Sequence, residues 1–274
     1  MHDVAAAANI APQWTILQPG IACEMPIRGT HGSILQQIAP AIDAAPIDVN
    51  ILSTNKRRKR LLIADMDSTI IEQECIDELA DFAGIKDEIA AITEQAMRGE
   101  LDFEASLTAR VARLSGLHED TLQTAFRERI KLTPGGRCAV QTMKAHGAIC
   151  ILASGGFTYF TSRIAEAVGF DTHVANELLI ENNVLTGEVT RPIFGREGKA
   201  VTLADACRKQ GIDLTETIAI GDGANDLAML NKSGLGVAFR AKPAVAAAAD
   251  VAIHHGDLTA LLFLQGYRAT DFVS

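Results

Sequence analysis

The segment LLIADMDSTI, Leu61–Ile70, carries the strongest signal in this chain for both fold and chemistry. Four apolar residues lead directly into Asp65, and a second acid, Asp67, follows after one intervening residue. A short apolar run that ends in polar residues is typical of a buried strand. Ligands of α/β sheets bind beyond the carboxyl ends of the strands, so two carboxylates at this point indicate a functional site.

The composition of the 274-residue chain suits a protein that folds around its own core. The net charge of −9 argues against nucleic acid and anionic membranes as partners, because both attract positive charge. The five cysteines are an odd number without a CxxC pair, which is typical of reduced thiols. The first residues, MHDVAAAANIAPQW, lack the positive charge of a signal peptide, so we expect a soluble cytoplasmic protein.

Short apolar segments alternate with amphipathic ones after Leu61, which predicts an α/β fold with a parallel sheet covered on both faces. The later predicted strands are AICILAS, a segment around THVANELLI, TIAIGDG, LGVAF and VAIHH, with a hairpin at ENNVLTGEVTRP. The predicted helices are FTYFTSRIAEAVG, GKAVTLADACRKQG and NDLAMLNKSG. A further helix is predicted to start at LTPGG, with Thr133 as its N-cap, and to end near Gly147.

Changes in this pattern divide the chain into three parts. Residues 1–56 are predicted to form a small N-terminal α/β segment, with strands near WTILQPGIAC and DVNILS and a helix at GSILQQIAPAI. A basic run at its end, NKRRKR, is interpreted as a solvated linker. Residues 72–131 have helical spacing without a strand signal, and Gly84 sits where a glycine commonly ends a helix. Residues 57–71 and 132–274 then form the main domain around this helical insertion.

Polar residues follow three of the predicted strands, and we expect them to converge at one edge of the sheet. They are Asp65 after the first strand, Ser154-Gly155-Gly156 after AICILA, and Asp222, Asn225 and Asp226 after TIAIG. The serine and the two glycines, which we expect at the start of a helix, offer a hydroxyl group and backbone N–H groups. Such groups bind anions well, so an anion is expected at this edge.

The acids at this edge are of the kind that phosphate chemistry requires. One carboxylate of the pair Asp65 and Asp67 can attack as a nucleophile while the other, in a different environment, carries a proton. Asp222 and Asp226 add hard oxygen ligands for Mg²⁺, which would offset the repulsion between carboxylates and phosphate. Lys199, near the start of a later helix, supplies a balancing cation, although taken alone it would be interpreted as a surface lysine.

The motifs DMDST, ASGG and GDGAND, together with the lysine, resemble the haloacid dehalogenase superfamily of aspartyl-phosphate phosphotransferases. The stretches DMDSTIIEQECIDELA and AMRGELDFEASLTARV narrow the resemblance to its phosphoserine phosphatase family, from roughly Arg60 to the C-terminus. The resemblance implies a Rossmann-like core with a helical cap over residues 72–131. It also implies that Asp65 is the nucleophile, that Asp67 is the general acid and base, and that Asp65, Asp222 and the backbone carbonyl of Asp67 hold Mg²⁺, with Asp226 beside them.

The same resemblance assigns the residues that would bind the substrate. Ser154, Gly155 and Lys199 would bind the phosphoryl group, and Asn225 would help to order the site.

In the cap, the resemblance places Glu74 at the substrate ammonium and Arg110 at the substrate carboxylate, with Met97 and Phe103 at apolar positions of the pocket. A forked guanidinium suits a carboxylate, and an acid suits an ammonium group. Arg113, one helical turn later, is the rival for the role of Arg110, and either one taken alone would be interpreted as an exposed helix arginine.

Residues and resemblance together predict a cytoplasmic, Mg²⁺-dependent phosphatase that converts O-phospho-L-serine to L-serine through an aspartyl-phosphate. One alternative within enzymes is another small phosphomonoester as substrate, or an alcohol acceptor in place of water. A second alternative is a non-catalytic sensor of a phosphorylated ligand, against which the intact pair Asp65 and Asp67 argues. We expect a small-molecule substrate and neither a nucleic acid nor a membrane as a partner. The sequence leaves open whether the protein forms a homodimer.

Overall fold

The computed structural model describes residues 13–27, 45–97 and 100–273, so the helix predicted at GSILQQIAPAI lies outside the described residues. The strands within them are β1 (Thr15–Gln18), β2 (Ala22–Glu24), β3 (Leu61–Ala64), β4 (Ile149–Phe157), β5 (Thr172–Asn176), β6 (Leu178–Glu181), β7 (Val184–Val189), β8 (Thr217–Gly221), β9 (Gly236–Phe239) and β10 (Val251–Ile253). The α-helices are α1 (Cys75–Phe82), α2 (Lys86–Met97), α3 (Phe103–Ala112), α4 (Asp120–Glu128), α5 (Gly136–Ala145), α6 (Thr158–Val168), α7 (Arg196–Gln210), α8 (Leu227–Lys232), α9 (Pro243–Ala248) and α10 (Ala260–Leu264).

Six of these strands form one parallel sheet in the order β10-β9-β8-β3-β4-β5. Strand β3 lies inside the sheet, with Leu61 paired to Ile149 of β4 on one side and to Thr217 of β8 on the other. All four residues of β3 are buried, which explains why the segment is apolar throughout and does not alternate. The predicted parallel sheet is confirmed.

Apolar side chains cover both faces of this sheet. Leu62 and Ala64 of β3 belong to one cluster with side chains of α5, α6 and α10, whereas Leu61 and Ile63 belong to a second cluster with side chains of α7, α8 and α9. Successive residues of a strand point to opposite faces, so a single four-residue strand contributes to both clusters. The α/β fold class predicted from the sequence is confirmed.

Between Ile71 and Leu132 the described chain folds into helices α1 to α4. Two backbone hydrogen bonds join the ends of this insertion: the Glu72 N–H donates to the Lys131 carbonyl (3.0 Å), and the Thr133 N–H donates to the Ile70 carbonyl (2.9 Å). The chain therefore leaves and re-enters the sheet domain at one point. The apolar side chains of α1, α3 and α4 continue the cluster on one face of the sheet.

The predicted hairpin is present as β6 and β7, which pair antiparallel outside the main sheet. Its backbone is bonded to the segment between α3 and α4. The Gly116 N–H donates to the Leu185 carbonyl (2.8 Å), the Leu185 N–H to the Leu117 carbonyl (2.8 Å), and the Glu119 N–H to the Asn183 carbonyl (2.9 Å). The hairpin thus attaches the helical insertion to the main domain at a second place.

Three local predictions in the main domain are wrong. THVANELLI is not one strand, because β5 ends at Asn176 and β6 begins at Leu178 in a different sheet. Thr133 is not an N-cap: α5 begins at Gly136 after a turn in which Gly135 has a φ of 81°, in the left-handed region that favours glycine. Ser154-Gly155-Gly156 does not start a helix, since these residues lie within β4.

Of the two strand predictions before residue 57, one is confirmed in part and the other is wrong. WTILQPGIAC forms the hairpin β1–β2, because the chain reverses at Gly20, where φ is 74°. DVNILS is not a strand. Instead, the Asp48 carboxylate accepts the N–H groups of His254 (2.9 Å), His255 (3.0 Å) and Gly256 (3.2 Å), and so holds the chain that follows β10.

The basic run NKRRKR is only in part the solvated linker that we predicted. Lys56, Arg58 and Arg60 are exposed, whereas Arg57 and Lys59 contact the rest of the protein. Arg57 pairs with Glu24 of β2 (2.5 Å) and donates to the Leu264 carbonyl (2.8 Å). Lys59 is buried and donates to the Thr215 carbonyl (2.7 Å). The exposed cations pair with surface acids: Lys56 with Asp213 (3.8 Å), Arg58 with Asp271 (3.5 Å) and Arg60 with Glu216 (3.6 Å).

Two expectations from composition can be compared with the structure. Cys75, Cys138, Cys150 and Cys207 are free thiols, and all but Cys138 are buried, as predicted. Within the described residues, every helix is too short or too polar to cross a lipid bilayer.

Candidate active site

The candidate site lies where three neighbouring strands of the sheet end. Strand β3 is flanked by β8 and β4, so Asp65 after β3 lies between Asp222 after β8 and the residues Ser154–Gly156 of β4. The Asp65 N–H donates to the Ile220 carbonyl of β8 (2.9 Å), which continues the ladder by one residue. The strands after β3 first run to one side of it and later to the other, and such a reversal opens a crevice at the strand ends.

An irregular turn over Met66–Ile70 follows β3 and separates the two acids of the DMDST motif. The Asp65 carboxylate accepts the Met66 N–H through Oδ1 (2.8 Å). Asp67 has an extended backbone conformation, whereas Ser68 has a φ of 53° in the left-handed region. The turn therefore bends the chain just after the strand and gives the two acids different surroundings.

Asp65 shares a buried lysine with Asp226. The Lys199 ammonium lies 2.7 Å from Asp65 Oδ1 and 2.7 Å from Asp226 Oδ1, and its side chain is fully buried. Burial alone lowers the pKa of Lys199, but the negative charges of Asp226 and Asp65 outweigh it, and the pKa is raised above its ordinary value. Lys199 is therefore a permanent cation at the bottom of the site, not a surface lysine.

Three acids of the site can share a metal ion. Carboxylate oxygens of Asp65, Asp222 and Asp226 all lie within 4.8 Å of one another. Burial and the charge of Asp226 raise the pKa of Asp65, and they raise the pKa of Asp222 to about 6. One lysine cannot balance three carboxylates, so the site carries excess negative charge. Hard oxygen ligands with unbalanced charge fit a divalent cation.

Asp67 is held through both carboxylate oxygens and is not a member of this acidic group. Its Oδ1 accepts the N–H of Cys75, the first residue of α1 (2.9 Å), and its Oδ2 accepts the Ser154 hydroxyl (3.1 Å). The N–H groups at the start of a helix favour a negative charge nearby. The Gly156 N–H in turn donates to Ser154 Oγ (2.8 Å), which fixes the hydroxyl.

Gly155 and Gly156 are required by close contacts on two sides. A Cβ atom at Gly156 would lie 2.7 Å from Asp67 Oδ2, and one at Gly155 would lie 3.0 Å from the ring of Phe103. The Phe103 ring also lies against Gly195, where a Cβ would be 2.7 Å from it. The first residue of α3 thus covers the end of β4, and its role in a substrate pocket stays a prediction. The side chain of Met97 lies outside the described residues.

Glu74 lies at the mouth of the site, immediately before α1. Its Oε1 accepts the Ser68 hydroxyl (2.5 Å), and its side chain stays accessible to solvent. Partial desolvation of the carboxylate, together with the negative charge of Asp67, raises the pKa of Glu74 to about 8. A positively charged group next to Glu74 would stabilise the ionised form of its carboxyl group.

Arg110 and Arg113 differ clearly in their surroundings. Arg110 is half-buried, and although burial lowers its pKa, the acids Asp77, Glu74 and Asp67 oppose this shift. Its Nε donates weakly to the Ser106 carbonyl (3.4 Å). Arg113 is exposed and pairs with Glu88 on the surface (2.6 Å). Arg110 therefore lies near acids of the site, whereas Arg113 is engaged with Glu88.

Several residues that shape the site received no role from the sequence. Thr69 is buried and donates to Asp222 Oδ1 (3.1 Å), and Ser68 holds Glu74. The hydroxyl pair directly after DMD was the available signal, but nothing in its spacing shows which acid each hydroxyl meets. Asn225, which we expected to order the site, is half-buried and lies against Gly223 in the turn that carries Asp226.

Comparison with known proteins places this geometry in a family. A family model for haloacid dehalogenase-like hydrolases matches residues 62–231. A phosphoserine phosphatase of Streptomyces coelicolor is 44% identical over 252 residues, which cover 90% of this chain and 61% of that protein. A phosphoserine phosphatase of Haemophilus influenzae is 46% identical over 223 residues, which cover 81% of this chain and 70% of that protein.

A solved structure shows the same arrangement of elements. It is a phospho-aspartyl intermediate analogue of phosphoserine phosphatase, which is 38% identical, has a TM-score of 0.70 and covers 75% of this chain and 98% of that chain. Among the relatives, this chain spans 61% of the Streptomyces protein, so parts of that protein have no counterpart here.

The excess charge of the site predicts a pH-dependent effect of Asp222→Asn on the metal-free protein. The folded state keeps the Asp222 proton up to about pH 6, whereas an ordinary aspartate loses it near 3.8, so the carboxyl weakens the fold as pH rises through this range. In EDTA, Asp222→Asn should therefore become progressively more stable than the unsubstituted protein from about pH 4 to about pH 7. Urea unfolding measures the difference, with the exposed Asp120→Asn as control.

Added divalent cation should reverse the sign of this difference, because only the unsubstituted protein keeps the full set of carboxylate ligands. An effect of Asp222→Asn that is independent of both pH and divalent cation would contradict the charge imbalance that we describe.

Proposed function

The chain belongs to the haloacid dehalogenase-like hydrolases, as its motifs predicted, and we propose that it hydrolyses O-phospho-L-serine to L-serine and phosphate. The observation that carries the proposal is the different environment of the two acids after β3. Asp65 is buried beside a lysine, whereas Asp67 is bound by a hydroxyl and by a helix N-terminus. Two carboxyl groups in separate environments can divide nucleophilic attack and proton transfer between them.

Asp65 is the nucleophile in this proposal. Both the Met66 N–H and the Lys199 ammonium contact its Oδ1, and this orients the carboxylate and leaves Oδ2 to attack. Oδ2 forms a bond to phosphorus while the bond between phosphorus and the serine oxygen breaks, and the electron pair of that bond goes to the serine oxygen. The product is an aspartyl-phosphate on Asp65.

Asp67 carries the proton in both halves of the reaction. It first donates a proton to the departing serine oxygen, which is a poor leaving group without one. It then accepts a proton from a water molecule, and the water oxygen attacks phosphorus and restores the Asp65 carboxylate. The hydrogen bonds from Cys75 and Ser154 hold both oxygens of Asp67, so the proton carrier has a fixed position.

The phosphoryl group would be bound by Ser154, Gly155 and Lys199, with Asn225 ordering the neighbouring turn. The Lys199 charge persists across the working pH range because its pKa is raised. Ser154 already donates to Asp67, so the phosphoryl group would lie beside the proton carrier.

We propose Mg²⁺ as the metal, held by Asp65, Asp222 and the backbone carbonyl of Asp67, with Asp226 beside them. The fit rests on three carboxylates within 4.8 Å and on the raised pKa of Asp222. When bound, Mg²⁺ supplies electrostatic stabilisation of the negative charge on the phosphoryl oxygens. Asp226 stays engaged with Lys199 and with the Gly223 N–H (3.0 Å), so its part is to position the lysine.

The serine part of the substrate would meet Glu74 and Arg110. Glu74 would receive the ammonium group, and Arg110 would bind the carboxylate through its fork of N–H donors. Both side chains come from the helical insertion, so recognition of the amino acid and of the phosphate is divided between two parts of the chain.

We propose that residues 72–131 are a cap over this site, between the two parts of the catalytic core, 57–71 and 132–274. The paired ends of the insertion support this boundary, because the chain enters and leaves through neighbouring backbone strands. Hairpin β6–β7 is bonded to residues 116–119 and would accompany any motion of the cap. Residues 1–56 are given no role in this proposal, although Asp48 and Asn50 bond to the chain around β10. The free thiols suit a cytoplasmic location.

A panel of phosphorylated small molecules tests the proposed function. Phosphate release should be fastest with O-phospho-L-serine among phosphorylated amino acids, sugars and alcohols, and chelation by EDTA should abolish it. Activity on other phosphomonoesters with none on phosphoserine would favour the alternative substrate, and transfer to added alcohols would favour a phosphotransferase. Binding of phosphoserine without any phosphate release would favour the sensor.

Arg110→Ala should impair turnover of phosphoserine far more than turnover of p-nitrophenyl phosphate, because the aryl ester has no carboxylate. Loss of a charge-assisted hydrogen bond costs about 2 kcal/mol, so kcat/KM for phosphoserine should fall by roughly 30-fold. Arg113→Ala is the matched control. It should leave kcat/KM unchanged for both substrates, since Arg113 pairs with Glu88 on the surface. Equal losses on both substrates would assign Arg110 a structural role.

The raised pKa of Glu74 predicts a pH-dependent preference between the same two substrates. The carboxyl group is largely neutral below about pH 8 in the free protein, and only its ionised form can pair with the substrate ammonium. The ratio of kcat/KM for phosphoserine to that for p-nitrophenyl phosphate should therefore rise between about pH 6.5 and about pH 8.5. In Glu74→Gln this ratio should be low and flat. A rising ratio in Glu74→Gln would assign the pH dependence to another group.

A further inference from the structure

Asn176 is a buried polar residue at the end of β5, with 2% of its surface exposed. Its amide Nδ2 donates to the Gly155 carbonyl (2.9 Å) and to the Phe194 carbonyl (2.9 Å), and its Oδ1 accepts the Phe194 N–H (2.7 Å). Both donor hydrogens and the acceptor oxygen are therefore in use. One side chain joins two backbone segments that are nearly 40 residues apart in the sequence.

The first segment is the irregular end of β4. Between two paired positions, β4 runs from Ala153 to Phe157 while β5 runs only from Val174 to Asn176, so β4 contains two extra residues. Extra residues in a ladder form a bulge, which bends the strand and interrupts its regular hydrogen bonds. The Gly155 carbonyl lies in this bulge, and Asn176 supplies the hydrogen bond that the regular ladder would otherwise give.

The second segment is the entry to α7. Phe194 and Gly195 immediately precede this helix, and the Lys199 N–H donates to the Gly195 carbonyl (3.2 Å). Because Asn176 binds both the N–H and the carbonyl of Phe194, it sets where α7 begins. Asn176 therefore also influences the distance between Lys199 and the bulge of β4.

The contacts of Phe103 depend on the distance between the two segments. Its ring lies over Gly155 and Gly195 together, and a Cβ atom would approach it to 3.0 Å at Gly155 and to 2.7 Å at Gly195, so a side chain at either position would displace the ring. Phe103 belongs to the helical insertion. A change in the distance between the two glycines would therefore disturb the packing of the insertion on the main domain. Asn176 connects the same two segments through hydrogen bonds in the protein interior.

We propose that Asn176 is a positioning residue for phosphoryl binding, which holds the Ser154–Gly156 bulge and the Lys199 helix at the separation that a phosphoryl group requires. The inference rests on the proposed function only in that the site binds a phosphoryl group. It assigns Asn176 no contact with the substrate.

The test uses Asn176→Ala and Asn176→Asp, with p-nitrophenyl phosphate as substrate and inorganic phosphate as competitive inhibitor. Asn176→Asp keeps the shape and the acceptor but removes both donors. In each variant the inhibition constant of phosphate and the KM of the aryl ester should rise together, by roughly tenfold, since a lost buried hydrogen bond has about this effect. Phosphoserine is not needed, so an error in the proposed substrate leaves this test intact.

Asn50→Ala is the matched control. Asn50 also bonds one backbone residue through both its donor and its acceptor, at Ala252 (3.1 and 3.3 Å), but on the outer strand β10. The Asn50→Ala substitution should lower the melting temperature of the protein without changing the inhibition constant of phosphate. A general loss of stability would thus be separated from a specific loss of phosphoryl binding.

Three results would overturn the proposal. Inhibition constants of phosphate within about twofold of the unsubstituted protein, in folded Asn176 variants, would show that Asn176 does not position the phosphoryl site. An equal rise in Asn50→Ala would assign the effect to stability. Failure of both Asn176 variants to fold, judged by circular dichroism, would make Asn176 a structural residue.

Discussion

The two ion pairs of Lys199, with Asp65 and with Asp226, are the interaction on which the rest of the structure depends. A fully buried ammonium group is tolerated only when it is paired, and loss of one partner from a buried pair costs about 3–5 kcal/mol. The three residues come from the end of β3, the turn after β8 and the first turns of α7, so the pairs fix these elements relative to one another. They also fix the nucleophile, because the lysine orients the carboxylate that would attack phosphorus. Folding of the sheet edge and chemistry at that edge therefore rely on the same contacts.

The proton carrier depends on the helical insertion as well as on the sheet. One oxygen of Asp67 is bound by Ser154 of β4, and the other by the backbone of Cys75 at the start of α1. The residues proposed to bind the serine part of the substrate, Glu74 and Arg110, come from the same insertion. In the proposed function the insertion therefore serves two purposes, since it would recognise the amino acid and it holds Asp67, the proposed general acid. This arrangement explains why two acids only two residues apart in sequence have such different surroundings.

The sequence predicted the parts of the structure that have a short-range signal. Apolar runs such as Leu61–Ala64 gave the strands, and three polar strand ends gave the position of the site. It did not predict how side chains meet across the fold: that Thr69 holds Asp222, that Asp48 replaces a predicted strand by binding the chain after β10, or that Asn176 joins β4 to α7. These contacts link residues far apart in the chain, and no local pattern encodes them. Lys199 shows the same limit, because its motif was visible but its complete burial was not.

The division of labour between Asp65 and Asp67 is tested most directly by trapping the phosphorylated protein. Asp67→Asn should release a burst of about one p-nitrophenolate per site from p-nitrophenyl phosphate, because this leaving group needs no proton, and then stall with phosphate on Asp65. Rapid-quench kinetics and intact-protein mass spectrometry would detect both, and Asp65→Asn should show neither the burst nor the phosphate. The same Asp67→Asn protein should be nearly inactive on phosphoserine. Steady turnover of phosphoserine by Asp67→Asn near the unsubstituted rate, without a phosphorylated protein, would contradict the account.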